Sequence, residues 1–248
     1  MMNGIPFLKK DKSVKKWLQI HSKTTLLFIF LILSLGAYSQ NDTIEEQGLN
    51  LECNVASRFI WRGTDYGHSP SLQPQLSYTK GFFTLGSWGA YALNSDYRET
   101  DFFLDFNYKS FTFSVWDYYS TDTVSGGHYF NYSNNNTSHT FEGIAKLNQI
   151  GQLPLSITVG YNFYGSDNTN SVYAELAYSG NYKNIDYQLF CGATPRKGVY
   201  ADNSGVVNLG GSFTKSIKIT DHFSLPLQIS LITNPEAENI FLIAAISF

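Results

Sequence analysis

From Asn50 to the C-terminal Phe248, apolar and polar residues alternate in segments of about ten, divided by turn-rich stretches. The first segment sets the pattern: Leu51, Cys53, Val55, Phe59 and Trp61 fall on one face, and Glu52, Asn54, Arg58 and Arg62 on the other. Successive side chains of a strand point to opposite sides of a sheet, so the segment predicts a strand with one apolar and one polar face. Further segments read the same way at 71–79, 82–93, 101–108, 111–120, 139–148, 153–164, 171–179, 184–193, 205–217, 223–233 and 239–248, giving twelve strands. In 153–164, Leu155, Ile157, Val159, Tyr161 and Phe163 oppose Ser156, Thr158, Gly160 and Asn162. Pro74, Pro154 and Pro226 fall inside or at the ends of these strands, where the missing N–H weakens pairing.

A soluble sandwich alternates too, and the connections separate the two cases. After even-numbered strands they are short: Lys80-Gly81, Lys109-Ser110, 149–152, 180–183 and 218–222. After odd-numbered strands they are mostly longer and more polar: 63–70, 94–100, 121–138, 165–170, 194–204 and 234–238. An even strand count with short turns at one end and longer loops at the other is the pattern of an outer-membrane barrel. The expected fold is therefore all-β, a transmembrane antiparallel β-barrel of twelve strands over 51–248, with short periplasmic turns and longer extracellular loops.

The last strand carries Ile240, Leu242, Ala244, Ile246 and Phe248 on one face and stops on the aromatic. This resembles the C-terminal signature of barrels handled by the outer-membrane assembly machinery, which implies that machinery as a partner and Phe248 as part of the assembly signal.

The N-terminus reads differently. Lys9, Lys10, Lys12, Lys15, Lys16 and Lys23 precede an apolar run from Leu26 to Leu35, and Ala37-Tyr38-Ser39 supplies the small residues that a signal peptidase reads. Residues 1–39 are expected to be a signal peptide cleaved before Gln40, leaving 40–50 as a short periplasmic segment. The rival reading, a membrane anchor, needs about 20 apolar residues. Removing 1–39 lowers the basic count from 17 to 11 and the acidic count from 20 to 19, for a net charge of −8. That balance argues against nucleic acid as a partner. The two cysteines, Cys53 and Cys191, fall in strands one and nine, which are not neighbours in a twelve-strand barrel, so free thiols are favoured over a disulfide.

The most distinctive stretch is Ser57-Arg58-Phe59-Ile60-Trp61-Arg62-Gly63, continuing through Pro70-Ser71-Leu72-Gln73-Pro74. It resembles the opening of the TorF-type putative porin family, a Ser-x-aromatic-x-aromatic-Arg-Gly strand end followed after a short loop by Pro-x-aliphatic-Gln. The resemblance implies a barrel and a diffusion function, and the loop Thr64-Asp65-Tyr66-Gly67-His68 departs from the familiar pattern.

On the alternation alone, Arg58 and Arg62 share the polar phase of strand one, about 13 Å apart, and point into the lumen. They call for carboxylate partners, and the candidates on polar phases are Glu52, Asp105, Glu142, Glu175 and Asp186. Two uses stay open: salt bridges that brace the wall, or a charged constriction that selects solutes. Phe103, Trp116, Tyr118, Tyr173 and Phe190 fall on inward phases and predict a narrow lumen, either by filling it or by stacking on sugars or nucleosides.

Catalytic and metal patterns are not expected. His68, His128, His139 and His222 lack the two-residue Ser/His spacing of a barrel phospholipase, and no paired Cys/His spacing suits zinc. The expected function is passive diffusion of small solutes through a narrow charged lumen in the outer membrane, with membrane lipid as the surroundings and no cofactor. The alternatives are a structural or adhesive barrel whose third loop, with Gly126-Gly127, Tyr129, Tyr132 and 134–136, makes surface contacts, and a lipid-acting barrel enzyme.

Overall fold

The computed structural model describes residues 47–121, 128–133 and 136–248; residues 1–46, and with them the proposed leader and its cleavage point, lie outside it. The strands in chain order are β1 (Gly48–Ala56), β2 (Phe59–Trp61), β3 (Thr64–Tyr66), β4 (Ser71–Lys80), β5 (Phe83–Ala92), β6 (Arg98–Tyr108), β7 (Phe111–Thr121), β8 (His139–Leu147), β9 (Leu155–Gly165), β10 (Val172–Tyr182), β11 (Ile185–Thr194), β12 (Gly205–Lys218), β13 (Ser224–Asn234) and β14 (Asn239–Ser247). Twelve of them close into one antiparallel barrel in the order β1-β14-β13-β12-β11-β10-β9-β8-β7-β6-β5-β4, while β2 and β3 pair only with each other. The fold class and strand count therefore match the alternation.

The polarity of the wall is inverted relative to a water-soluble core. Large apolar side chains such as Leu51, Leu76, Leu85, Leu104, Leu176 and Leu242 stand exposed on the outside. Polar side chains such as Asp101, Glu142, Asn162, Asn208 and Ser230 are buried on the inside. A residue step of two along each strand keeps the two sets apart. The tight turns use backbone suited to hairpins: Lys183 and Asn184 both have positive φ, 51° and 61°, between the paired Tyr182 and Ile185.

Two strand ends differ from the sequence expectation. β1 begins at Gly48, and residues 48–50 pair with 77–79, so they belong to the barrel and not to a separate N-terminal segment. β1 also ends at Ala56, six residues earlier than the alternation suggests, because the chain turns out of the sheet there. Pro74 and Pro226 sit where pairing with one of the two neighbouring strands is interrupted. Pro74 falls in the gap of the β4–β5 register, and Pro226 pairs with Ser216 on β12 but lies beyond the last β13–β14 pair, Leu227 with Ile246.

The closing seam is the narrowest in the barrel. β1 and β14 share three register pairs, Asn54 with Ser247, Val55 with Ile246 and Ala56 with Ala245, whereas β1 and β4 share nine. Phe248 N donates to Cys53 O at 3.0 Å and Cys53 N donates to Phe248 O at 3.2 Å, which extends the seam by one reciprocal pair. Cys53 and Cys191 are both free.

Part of the third long connection folds against the rim. His139, fully buried at the start of β8, has Nδ1 2.7 Å from Asp117 Oδ1 and Nε2 2.5 Å from Tyr129 O, and its ring stacks on Tyr132 at 4.2 Å. Of the loop residues singled out above, Gly126, Gly127, Asn134 and Asn135 lie outside the described residues.

Candidate functional site: an inward hairpin and the cavity beside it

The chain between β1 and β4 does not form an external loop. Phe59 packs on Trp88 of β5 at 5.2 Å, Trp61 on Tyr118 of β7 at 5.4 Å, and Arg62 reaches β8 and β10. Asn234 at the end of β13 donates from Nδ2 to Gly63 O at 3.2 Å. Strands spread around the whole ring can all be touched by one hairpin only from inside it. β2 and β3 are therefore a hairpin folded into the lumen.

Its turn is Arg62-Gly63, between the paired Trp61 and Thr64. Both residues have positive φ, 50° and 76°, as a two-residue type I′ turn requires. Gly63 also has no room for a side chain, since a β-carbon there would meet the Val207 carbonyl oxygen at 1.9 Å. Holding a non-glycine residue such as Arg62 in this region costs about 1–2 kcal/mol, so the contacts of its side chain must offset strain as well as burial.

Those contacts are extensive. The Arg62 side chain is 7 % exposed and that of Glu142 is 0 % exposed. Nη1 donates to Glu142 Oε1 at 2.7 Å and Nη2 to Oε2 at 3.1 Å, the two-pronged arrangement that a planar guanidinium makes with a carboxylate. Tyr118 donates its hydroxyl proton to Glu142 Oε2 at 2.7 Å, and Arg62 Nη1 also donates to the Tyr200 hydroxyl. The guanidinium carbon lies 4.3 Å from the Trp61 ring centre and 4.4 Å from that of Tyr173, a cation held between aromatic faces. Burial alone would lower the Arg62 pKa, but the Glu142 carboxylate together with the Tyr200 and Tyr118 hydroxyls outweighs it and holds the pKa above the ordinary arginine value. Burial also raises the Tyr66 hydroxyl, on the returning arm of the hairpin, to about 12. Tyr173, Tyr200 and Val207 pack beside the tip as a small buried cluster, with Trp61 against it.

This placement corrects the reading of strand one. Arg58 and Arg62 are not on the polar phase of β1, and Phe59 and Trp61 do not face outward. Residues 57–62 alternate because they lead into and form the first arm of a second, shorter hairpin, and the alternation is the same whether an extended segment lies in the wall or inside it. Arg58 is 43 % exposed at its side chain and pairs with Asp65 across the hairpin at 2.5 Å.

The carboxylates divide. Glu142 meets Arg62. Glu175 accepts from the Tyr173 hydroxyl and from Asn208 Nδ2, the latter at 3.0 Å, and lines a cavity that Arg58 and Arg62 also border. Glu52 accepts from Asn50 Nδ2 at 2.7 Å, and Asp186 accepts from Asn181 Nδ2 at 2.7 Å near the β10–β11 turn. Asp105 lies on β6 opposite Thr84 and Ser114. Among the described residues, Arg58 pairs with Asp65 and Arg62 with Glu142, and neither Glu52 nor Asp186 forms an ion pair with these arginines. Of the inward aromatics, Phe103 and Tyr173 are buried, Phe103 stacks on Trp116 at 4.5 Å, and Phe190 borders the cavity. Tyr200, in the connection after β11, joins the site without any periodic signal in the sequence to announce it.

The cavity has a volume of about 390 Å³ and lies between the hairpin and the wall of β1, β4 and β10–β14. Its polar lining is made chiefly of amide and hydroxyl side chains, among them Asn54, Gln73, Gln188, Asn208, Gln228 and Ser230, interleaved with apolar ones such as Phe59, Phe190 and Ile243. No protein-family model matches the chain, and no curated protein matches it either.

Proposed function

We propose that this chain is an exported outer-membrane barrel of porin type that lets small polar solutes diffuse passively past the inward hairpin. The observation that carries this reading is the pairing of an apolar outer wall with a polar cavity inside it. A ring of exposed leucines and aromatics of this extent is unfavourable in water and suits hydrocarbon. Strands of 9 to 14 residues are long enough to cross the apolar layer of a membrane at the usual tilt. Lipid would surround the wall, and the assembly machinery would read the terminal strand ending at Phe248. The N-terminal pattern, cleaved before Gln40, would direct export, and the likeness of 57–63 and 70–74 to TorF-type porins points the same way. The role is transport without chemistry.

The clamp at Arg62 and Glu142 favours one competing reading, a structural barrel whose lumen the hairpin keeps shut. Planar-bilayer recording of the purified full chain separates the two. Discrete ohmic current steps support diffusion through the lumen, and a silent membrane containing correctly folded barrel supports the structural reading.

A further inference from the structure

We propose that the cavity beside the hairpin is a binding site for a neutral, polyhydroxylated solute of monosaccharide size. The inference deepens the solute-passing reading, on which it rests for the route by which such a solute arrives.

The charges that border the cavity are already compensated. Both arginines that border the cavity are already paired, Arg62 with Glu142 and Arg58 with Asp65. The bordering carboxylate, Glu175, is occupied by the Tyr173 hydroxyl and the Asn208 amide. A charged solute would have to compete with partners built into the hairpin and the wall.

The amides of the lining are held in fixed orientations. Gln73 donates from Nε2 to Ser71 Oγ at 2.8 Å, Gln188 to Ser179 Oγ at 3.3 Å and Gln228 to Thr214 Oγ1 at 3.2 Å. Each glutamine is thus turned by a neighbouring hydroxyl on the wall, which leaves its carbonyl oxygen as an acceptor and its second N–H as a donor. Together with Asn54 these side chains come from four strands around the cavity. A set that both donates and accepts, without net charge, is complementary to several hydroxyl groups on one small ring. Phe59 and Phe190 add aromatic surface that can pack on the C–H face of a sugar. The volume of about 390 Å³ falls in the range of small-molecule sites, about 300–1,000 Å³.

The test is calorimetric titration of the folded full chain in detergent micelles with D-glucose, with sodium gluconate and glucosamine hydrochloride as the charged counterparts of similar size. Saturable D-glucose binding is expected, at least about fivefold tighter than either charged sugar. Gln73→Leu and Gln188→Leu should each weaken it by about fivefold, the effect of one lost hydrogen bond. Gln152→Leu, on the β8–β9 turn, should leave it unchanged. Heat-modifiable gel mobility certifies that each variant is closed, and Gln188→Glu, which keeps the size, should shift the preference toward glucosamine. Absence of saturable D-glucose binding, equal binding of all three sugars, or indifference to the glutamine variants would overturn the proposal. Current steps without D-glucose binding sink this inference alone, whereas D-glucose binding in a barrel that passes no current sinks the diffusion reading and leaves the site standing.

Discussion

A β-carbon on Gly160 would lie 2.0 Å from Oε1 of Glu142 and 3.0 Å from Nη2 of Arg62. The ion pair at the hairpin tip thus occupies the space that any side chain at this position of β9 would need. Gly160→Ala should push the Glu142 carboxylate off the guanidinium and lower stability by about 1–3 kcal/mol, the usual cost of overpacking. Urea unfolding in detergent, followed by tryptophan emission, reads the change. Full stability in the variant would mean that the pair is not fixed where the geometry places it.

Glu142→Gln removes one charge of a buried pair and leaves Arg62 without its counter-ion. Breaking such a pair costs about 3–5 kcal/mol. Replacing both residues, as in Arg62→Met with Glu142→Leu, removes the uncompensated charge along with the pair, and the double variant should recover most of that loss. A double variant as unstable as the sum of the two single ones would show that the residues do not act on each other.

Acidification should act on the β9–β10 connection through Asp167. Burial pushes this carboxyl up, but hydrogen bonds from the Thr169 hydroxyl, Asn162 Nδ2 and the Ser171 backbone N–H outweigh it and hold its pKa down at about 2. A depressed folded pKa means that the clamp contributes fully above the ordinary carboxylate range, weakens as pH drops below that range and is lost as pH falls through about 2. Amide exchange at Ser171 and Thr169 should stay protected from neutral pH to about 4 and open on further acidification. Asp167→Asn should abolish that pH dependence. Protection unchanged down to pH below 2 would contradict the account of the clamp.

Deleting Phe248 removes the reciprocal backbone pair with Cys53 from a seam that has only three further register pairs. The fraction of chain that shows heat-modifiable gel mobility after refolding should fall well below wild type, while Ser247→Ala, which keeps the backbone, should match wild type. Equal closure by the deletion variant would mean that the seam does not depend on its last residue.

The wall was legible in the sequence because its physics is local. A period of two over segments such as 153–164 and 223–233 fixes strand and face together, and Lys109-Ser110 or the turn before Ile185 marks where pairing reverses. The hairpin was not legible as a hairpin. Ser57 to Arg62 alternates as a wall strand does, and only the tertiary position of Ala56, where the sheet ends, decides that Trp61 faces Tyr118 and not the outside. Arg62-Gly63 before Thr64 is a turn signal in retrospect, since Gly63 supplies one of the two positive-φ positions, but an arginine at the other is a poor indicator. Glu142 could be named as a partner for Arg62 because it lies on a polar phase and buried arginine needs a carboxylate. Its choice over Glu52, Asp105 and Asp186 depends on how far the hairpin reaches, which no residue pattern states. Tyr200 sits in an irregular connection and offers no period to read.

Passage of solutes through a lumen that the hairpin narrows is read most directly as current. Single-channel conductance compares the full chain with a variant in which residues 58–68 are replaced by a short Gly-Ser linker that omits β2 and β3. Small, ohmic steps are expected for the full chain and steps several-fold larger for the variant, because the hairpin and its Arg62–Glu142 clamp no longer fill the lumen. Equal conductance in the two proteins, or no current from either while both migrate as closed barrels, would contradict that expectation.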